Sequence, residues 1–181
     1  GGKPNAGRMV ESHLQVGPRA AGREAAANGT PVTLDAACIF CRIVAGQAEA
    51  SLVYRDDSVT GFMDIYPVTP GHVLLVPNTH VPDLRHLEDE YAGQLFVVGR
   101  RIAQSMRRSG LRCEGVNLLL ADGQAAGQTI FHTHLHIIPR HDGDGFGFRR
   151  RAGGSGTPSR EELQAVAENL RSGLRQSSWT D

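Results

Sequence analysis

The sequence predicts an α+β fold, in which an antiparallel sheet of about five strands carries one long helix and a short C-terminal helix. Two observations lead to this class. Apolar runs of strand length follow one another with mostly short connections, which suits antiparallel pairing. One longer segment, residues 88–109, has its apolar residues at helical spacing instead. The chain therefore lacks the regular crossover helices that a parallel sheet requires.

The composition is that of one globular domain with tails. The chain has 181 residues, and its 19 Lys and Arg residues balance its 19 Asp and Glu residues. A net charge of zero argues against binding to nucleic acid or to an anionic membrane. We see no apolar run near the ~18 residues of a membrane span and no signal peptide. Three cysteines are too few for a disulfide framework, so we expect a reducing, cytoplasmic setting.

Changes in composition divide the chain into four segments. Residues 1–36 contain no aromatic residue and are rich in Gly, Ala, Pro and Asn, which predicts a flexible tail. Residues 37–147 form the predicted domain. Residues 148–158 are a Gly- and Arg-rich linker, and residues 159–173 are the C-terminal helix.

The first elements of the domain are a short helix and three strands. Residues 38–44 have apolar side chains at helical spacing, and this pattern stops before Gly46. Residues 52–54 and 59–63 read as two strands joined by a turn, which predicts a hairpin. Residues 73–76 are a continuous apolar run, which is typical of a strand covered on both faces.

The remaining elements are two helices and two strands. The long helix spans residues 88–109, and Gly110 is a natural stop. Its apolar face is formed by Tyr91, Leu95, Val98, Ile102 and Met106. Residues 116–120 and 131–139 read as strands. The C-terminal helix opens at a capping-box pattern of Ser159 and Glu162.

Three alternating histidines are the dominant chemical feature. His132, His134 and His136 lie two residues apart in the predicted strand 131–139. Because side chains on a strand alternate between faces, all three imidazoles are expected on one face. Two functional readings remain open, a metal site and a histidine nucleophile attacking phosphorus.

The loop before this strand favours the nucleophile. Residues 123–129 form a Gly-rich turn that includes Gly127, Gln128 and Thr129. Such a turn aims backbone N–H groups at an anion, and the Gln128 amide and Thr129 hydroxyl can add to them.

A Cys-x-x-Cys pair, Cys38 and Cys41, is the second constellation. Two cysteines at this spacing make half of a zinc site. The alternatives are two small buried cysteines or a redox pair.

The histidine segment, His132-Thr133-His134-Leu135-His136-Ile137-Ile138, resembles the signature of the histidine triad (HIT) family, in which three histidines alternate with apolar residues. The preceding Gly127-Gln128-Thr129 also matches. The resemblance covers roughly residues 38–147. Further motifs in the family's order are Phe62-x-Asp64-Ile65, Pro70-Gly71-His72, Pro77-x-x-His80 and His136-Ile137-Ile138-Pro139-Arg140.

The resemblance implies a nucleotide hydrolase or transferase that cleaves at the α-phosphorus of nucleoside phosphoramidates or dinucleoside polyphosphates. His134 would be the nucleophile and form a nucleotidyl-histidine intermediate. His136 would contact the phosphate or leaving group, His132 would orient His134, and His72 would support the triad.

The resemblance also implies how a purine nucleotide is bound. Phe40, Ile43, Phe62 and Ile65 would form an apolar slot for the base. Asp64 would accept hydrogen bonds from the ribose hydroxyls. Many relatives have Asn or Gln where this chain has Ala121, so either that donor is lost or Asn117 or Gln124 replaces it.

Some bacterial relatives complete a structural zinc site around the cysteine pair. Carried over to this chain, the ligands would be Cys38, Cys41, His80 and His132. No organic cofactor is expected, and the family implies a homodimer. Two rival functions remain, a nucleotide-binding sensor or scaffold with little turnover and a metallohydrolase with zinc on the triad.

Overall fold

A computed structural model describes residues 32–147 and 157–176. The helices are α1 (Ile39–Val44), α2 (Asp89–Met106) and α3 (Arg160–Gln176). The strands are β1 (Leu52–Arg55), β2 (Val59–Met63), β3 (Val73–Pro77), β4 (Gly115–Leu120) and β5 (Leu135–Arg140). Single 3₁₀ turns occupy Leu84–His86 and Gln124–Ala126. Residues 1–31, most of the predicted tail, and residues 148–156 of the predicted linker lie outside the described part.

The five strands form one antiparallel sheet in the order β1-β2-β3-β5-β4. The predicted α+β fold with an antiparallel sheet and a long helix is therefore confirmed. The register places His136 of β5 between Leu74 of β3 and Leu119 of β4. His136 consequently lies in the interior of the sheet, with a strand on either side.

The two faces of the sheet carry different apolar clusters. Leu75 of β3 packs with Leu95, Val98 and Ile102 of α2. Its neighbour Leu74 faces the other way and packs with α1, as the two-residue period of a strand requires. Because Leu74 is paired with His136, the α1 face is also the histidine face.

The strand predicted at residues 131–139 is shorter than expected. It begins at Leu135, so His132 and His134 lie in an irregular segment that precedes β5. The backbone N–H of His132 donates to Ile130 O at 2.9 Å, and that of Thr133 donates to Val81 O at 2.6 Å. These bonds draw the segment away from the hydrogen-bond ladder of the sheet. Of the three histidines, only His136 lies on a strand, where side chains alternate between the two faces.

The ends of two predicted segments also differ from expectation. Thr33, inside the predicted tail, accepts from the backbone N–H of His80 at 2.6 Å. The C-terminal helix begins at Arg160, one residue after the expected start, and continues to Gln176. Within residues 32–147 and 157–176, no helix is long and apolar enough to cross a membrane.

Candidate active site and metal cluster

A cavity of about 360 Å³ opens between α1, the end of β2 and the histidine segment. Eight of the predicted site residues line it: Phe40, Ile43, Phe62, Asp64, Ile65, Thr129, His134 and His136. Phe40 and Phe62 pack with their ring centroids 5.4 Å apart. One side of the cavity is therefore apolar, and the other carries two imidazoles and a carboxylate.

His134 is held by its own segment. Its Nδ1 lies 2.7 Å from the backbone oxygen of His132. A carbonyl oxygen can only accept, so Nδ1 carries the proton and Nε2 carries a lone pair. Burial lowers the pKa of His134, which favours this neutral form. The Phe40 ring packs edge-on against the imidazole at 5.3 Å and restricts its rotation.

His136 belongs to a chain of three polar side chains. Its Nδ1 lies 3.0 Å from Nε2 of His72. On the far side of that ring, Nδ1 of His72 lies 3.3 Å from Oδ2 of Asp64 and accepts from the backbone N–H of Val68 at 3.2 Å. Burial, followed by the neighbouring His134 and His72, lowers the pKa of His136 to about 4. Burial also lowers the pKa of His72, which the Asp64 charge opposes.

The four predicted metal ligands come together on the far side of His134. Donor atoms of Cys38, Cys41, His80 and His132 lie within 4.8 Å of one another. Nδ1 of His132 is 3.5 Å from the sulfur of each cysteine. Nδ1 of His80 is 3.3 Å from Sγ of Cys41. Cys38 caps α1 and Cys41 lies within it, His80 is in the loop after β3, and His132 is in the histidine segment. The cluster therefore joins these three parts of the chain.

These residues fit a tetrahedral zinc ion. With Zn–S near 2.3 Å and Zn–N near 2.05 Å, a sulfur and a nitrogen on one zinc ion stand ~3.6 Å apart, close to the observed distances. His132 directs Nε2 at the backbone oxygen of Pro77, 3.0 Å away, which leaves Nδ1 free of a proton for a metal. Burial lowers the pKa of His132 to about 4 and keeps the ring neutral. Burial raises the pKa of the Cys41 thiol to about 11, so a bound cation would have to displace that proton.

The structure corrects the expectations for two polar side chains. The amide of Gln128 is buried, where Nε2 donates to Pro82 O at 2.8 Å and Oε1 accepts from the Gly123 N–H at 2.8 Å. It braces the Gly-rich loop and does not reach the cavity. Asn117 accepts from the Arg140 guanidinium and does not line the cavity either. Both are held by internal hydrogen bonds that spacing along the chain does not reveal.

Four other predicted residues lie outside the cavity lining. Gly127 has a φ of 94° and ends the 3₁₀ turn. Gln124, in that turn, is exposed. His72 stands behind His136, and His132 points into the metal cluster.

Several lining residues were not predicted. Ile39, Glu49 and Tyr66 all contribute to the cavity. Ile39 precedes Ile43 by one helical turn, and this spacing in α1 could have identified it. Glu49 and Tyr66 lie in loops, and no pattern in the sequence points to them. Asp64 was predicted to bind ribose, and its Oδ1 accepts from the Tyr66 backbone N–H at 2.9 Å.

The fold and the histidine arrangement define the class of protein. A family model for the HIT domain matches residues 45–143, more than half of the chain. The chain belongs to the HIT family, which confirms the resemblance. Protein hit of Bacillus subtilis is 45% identical over 111 residues, which cover 61% of this chain and 76% of that protein.

Two further matches bear on chemistry. Adenosine 5′-monophosphoramidase HNT1 of Saccharomyces cerevisiae is 33% identical over 112 residues, which cover 62% of this chain and 68% of that protein. The crystal structure of a zinc-bound histidine triad family protein from Mycobacterium smegmatis is 43% identical, with a TM-score of 0.60. That match covers 76% of this chain and 97% of that structure.

Proposed function

We propose that this protein cleaves nucleoside phosphoramidates or dinucleoside polyphosphates at the α-phosphorus, with His134 as the nucleophile. The observation that carries the proposal is the 2.7 Å contact between Nδ1 of His134 and the backbone oxygen of His132. It fixes the tautomer whose Nε2 has a lone pair, on a ring that lines the cavity. Its relative HNT1, named as an adenosine 5′-monophosphoramidase, supports a phosphoramidate substrate.

In the first step, Nε2 of His134 forms a bond to the α-phosphorus. The bond from phosphorus to the leaving nitrogen or oxygen breaks, and its electron pair stays with the leaving group. His136 also lines the cavity, and its Nε2–H supplies the proton that the leaving group needs.

The hydrogen bonds from His136 to His72 and from His72 to Asp64 determine which nitrogen of His136 carries a proton. With both rings neutral, the Val68 N–H donates to Nδ1 of His72, and Nε2–H of His72 donates to Nδ1 of His136. The negative charges of a bound phosphate and of Asp64 favour one further proton, which makes His136 an imidazolium. Its Nδ1–H then donates to Nε2 of His72, and Nδ1–H of His72 donates to Asp64. When Nε2–H of His136 goes to the leaving group, His136 is left neutral with its proton on Nδ1, and its Nε2 is a base.

The second step uses that basic form. His136 takes a proton from water, the water oxygen bonds to phosphorus, and the bond from phosphorus to Nε2 of His134 breaks. The products are the nucleoside monophosphate and the original imidazole. One carboxylate and two imidazoles thus provide an acid for the first step and a base for the second.

Binding of the nucleotide follows from the two sides of the cavity. Phe40, Phe62 and Ile65 give an apolar slot that suits a flat purine. Asp64 has lone pairs left for the ribose hydroxyls. Thr129 is exposed at the cavity, where its hydroxyl donates to the phosphate.

The test is to trap the nucleotidyl group on the protein. Adenosine 5′-phosphoramidate, or an analogue with a slowly hydrolysed sulfur-substituted phosphate, is added and the reaction is quenched at neutral or alkaline pH. Intact-mass measurement should show one added adenylyl group, and peptide mapping should place it on His134. The His134→Ala variant should lose the adduct and turnover but keep nucleotide binding. His86→Ala, which removes an exposed histidine outside the cavity, is the matched control and should keep both.

The rival functions give different results in this experiment. A sensor or scaffold would bind the nucleotide but form neither adduct nor product. A metallohydrolase would release product without an adduct and would lose activity with a chelator. Adduct on His132 instead of His134 would contradict the assignment of the nucleophile.

We also propose that Cys38, Cys41, His80 and His132 hold one structural zinc ion per chain. The 3.3–3.5 Å distances between sulfur and nitrogen atoms support it, as does the zinc-bound relative. Zinc would fix the fold of the segment that carries His134, as a closed four-ligand site does.

We further propose that the protein is a homodimer. β4 is the last strand of the sheet, so within the described residues one side of its backbone has no strand partner. On α2, Phe96 is 61% exposed. An open sheet edge and an exposed aromatic side chain are both features that a second copy can cover. Sedimentation velocity across a concentration series tests this.

A further inference from the structure

Helix α3 presents an apolar stripe to solvent. Leu163, Val166, Leu170 and Leu174 recur at helical spacing, and each is between 48% and 65% exposed. The helix is well formed at its start, because Ser159 Oγ accepts from the Glu162 N–H at 3.1 Å and the Glu162 carboxylate accepts from the Ser159 N–H at 2.7 Å. A 17-residue helix has little stability alone, so this stripe needs a surface to cover it.

A groove of matching character lies on the α2 face of the sheet, away from the catalytic cavity. It has a volume of about 540 Å³ and is mainly apolar. Its apolar lining includes Val53, Tyr54, Met63, Ile102, Met106 and Leu111. Val53 and Leu111 are themselves exposed, so the groove is open to a ligand or a partner.

The stripe follows α3, the groove follows the end of α2, and the two have complementary charges. From Leu163 to Leu174 the helix rises ~16 Å, and the groove follows α2 for ~8 Å from Arg101 to Met106 and continues beyond the helix to Leu111. Arg101 is the charged residue of the lining. Glu162 borders the stripe one turn before Val166 and can offer it a carboxylate.

A second copy is the occupant that these observations favour. No α3 residue lines the groove, so one chain leaves both apolar surfaces open. Two copies related by a two-fold axis would cover both at once, because each α3 finds the groove of the other. The 13 steps of chain from Gly147 to Arg160 can span up to ~43 Å, which is long enough to cross between copies.

We propose that α3 of each chain lies in the α2 groove of a second copy, an exchange of C-terminal helices. This inference rests on the homodimer of the proposed function but not on its chemistry. It assigns to α3 a role in assembly, with Leu170 near the centre of the contact.

The first test is a cross-link between two differently tagged chains. Both carry Cys113→Ser. One carries Leu170→Cys and the other carries Val53→Cys. After co-expression, a short bismaleimide should join the two tags in one covalent dimer. Ala165→Cys, on the opposite side of α3 from the stripe, replaces Leu170→Cys in the control and should give no such product. When Leu170→Cys and Val53→Cys are placed in the same chain, a cross-link confined to that chain would show that α3 lies in its own groove. That result would overturn the proposal.

The second test measures the strength of the dimer. Leu170→Glu should weaken association at least ~10-fold in sedimentation equilibrium, whereas Ala165→Glu should leave it unchanged. If the wild-type protein is a monomer at all concentrations, both the homodimer and this inference are wrong. If it is a dimer that gives no cross-link between tags and is indifferent to Leu170→Glu, only the helix exchange is wrong. Hydrolysis of adenosine 5′-phosphoramidate is measured in parallel. This assay tests the catalytic proposal independently of the helix exchange.

Discussion

Thr133 offers a sharp test of the energetics of the histidine segment. Its side chain is 1% exposed, and its hydroxyl oxygen has no hydrogen-bond partner among the described residues. Burying an unpaired hydroxyl costs ~1–3 kcal/mol. Valine has nearly the same shape and no polar atom, so Thr133→Val removes that cost without opening a cavity. We expect the variant to be more stable than the wild type by ~1 kcal/mol or more.

The matched control is the same substitution at Thr60. That side chain is also fully buried, but its hydroxyl donates to Oδ1 of Asn78 at 2.6 Å. Thr60→Val leaves the Asn78 oxygen with one partner fewer and should destabilise by ~1–3 kcal/mol. The two variants change identical atoms at equal burial, so their opposite signs isolate the hydrogen bond from the packing.

The assay is urea unfolding followed by circular dichroism, at one fixed concentration of free zinc because metal binding contributes to apparent stability. Thermal midpoints should move by about 4 °C per kcal/mol for a domain of this size. A loss of stability in Thr133→Val comparable to that in Thr60→Val would refute the reasoning. It would mean that the Thr133 hydroxyl has a hydrogen-bond partner, such as a buried water.

Three further predictions concern the site and its frame. The pKa of His136 is lowered to about 4 from 6.5, mainly by burial, so between those pH values the unfolded state binds more protons. Stability should therefore fall as pH drops from 6.5 to 4, and urea midpoints of His136→Gln should show a weaker fall. Asp64→Asn removes the acceptor for His72 and should lower kcat ~100-fold in steady-state assays of adenosine 5′-phosphoramidate, with far-UV circular dichroism unchanged. Gly71 has a φ of 98°, and a Cβ there would lie 2.6 Å from the Leu111 side chain, so Gly71→Ala should lower the thermal midpoint, whereas Gly46→Ala, with a φ of 70° but open space around it, should lower it less.

The elements that the sequence predicted well are those whose side chains repeat with a clear period. The spacing of three and then four residues between Leu95, Val98 and Ile102 predicted α2, and the continuous run at residues 73–76 predicted β3. The irregular segment before β5 was read as strand because alternating residues look the same whether or not the ladder is formed. What ended the ladder is a bond from the Thr133 backbone to Val81, and no sequence pattern reveals a partner so distant in the chain.

The candidate site also contains residues that the sequence predicted and residues that only the fold could place. Histidine spacing and family resemblance predicted imidazoles and a cysteine pair, which the structure places at the cavity and in one cluster, because their chemistry is specific. The side chain of Gln128 could not be placed in this way, because its amide is equally suited to a phosphate or to backbone carbonyls. Only the fold, which places Pro82 O within 2.8 Å of that amide, decides between them.

The environment of His132 changes what the word triad means in this protein. One ring nitrogen faces Pro77 O and the other faces two sulfur atoms, so neither is available to exchange a proton with a substrate. In the mechanism proposed above, the chemistry would therefore be left to His134 and His136, and His132 would fasten their segment to α1 through the two cysteines. A replacement at position 132 should therefore be judged by whether it can bridge the sulfur cluster and the Pro77 carbonyl. The basicity of the replacing side chain should matter little. A poor replacement should lower activity because it misaligns the segment that carries His134.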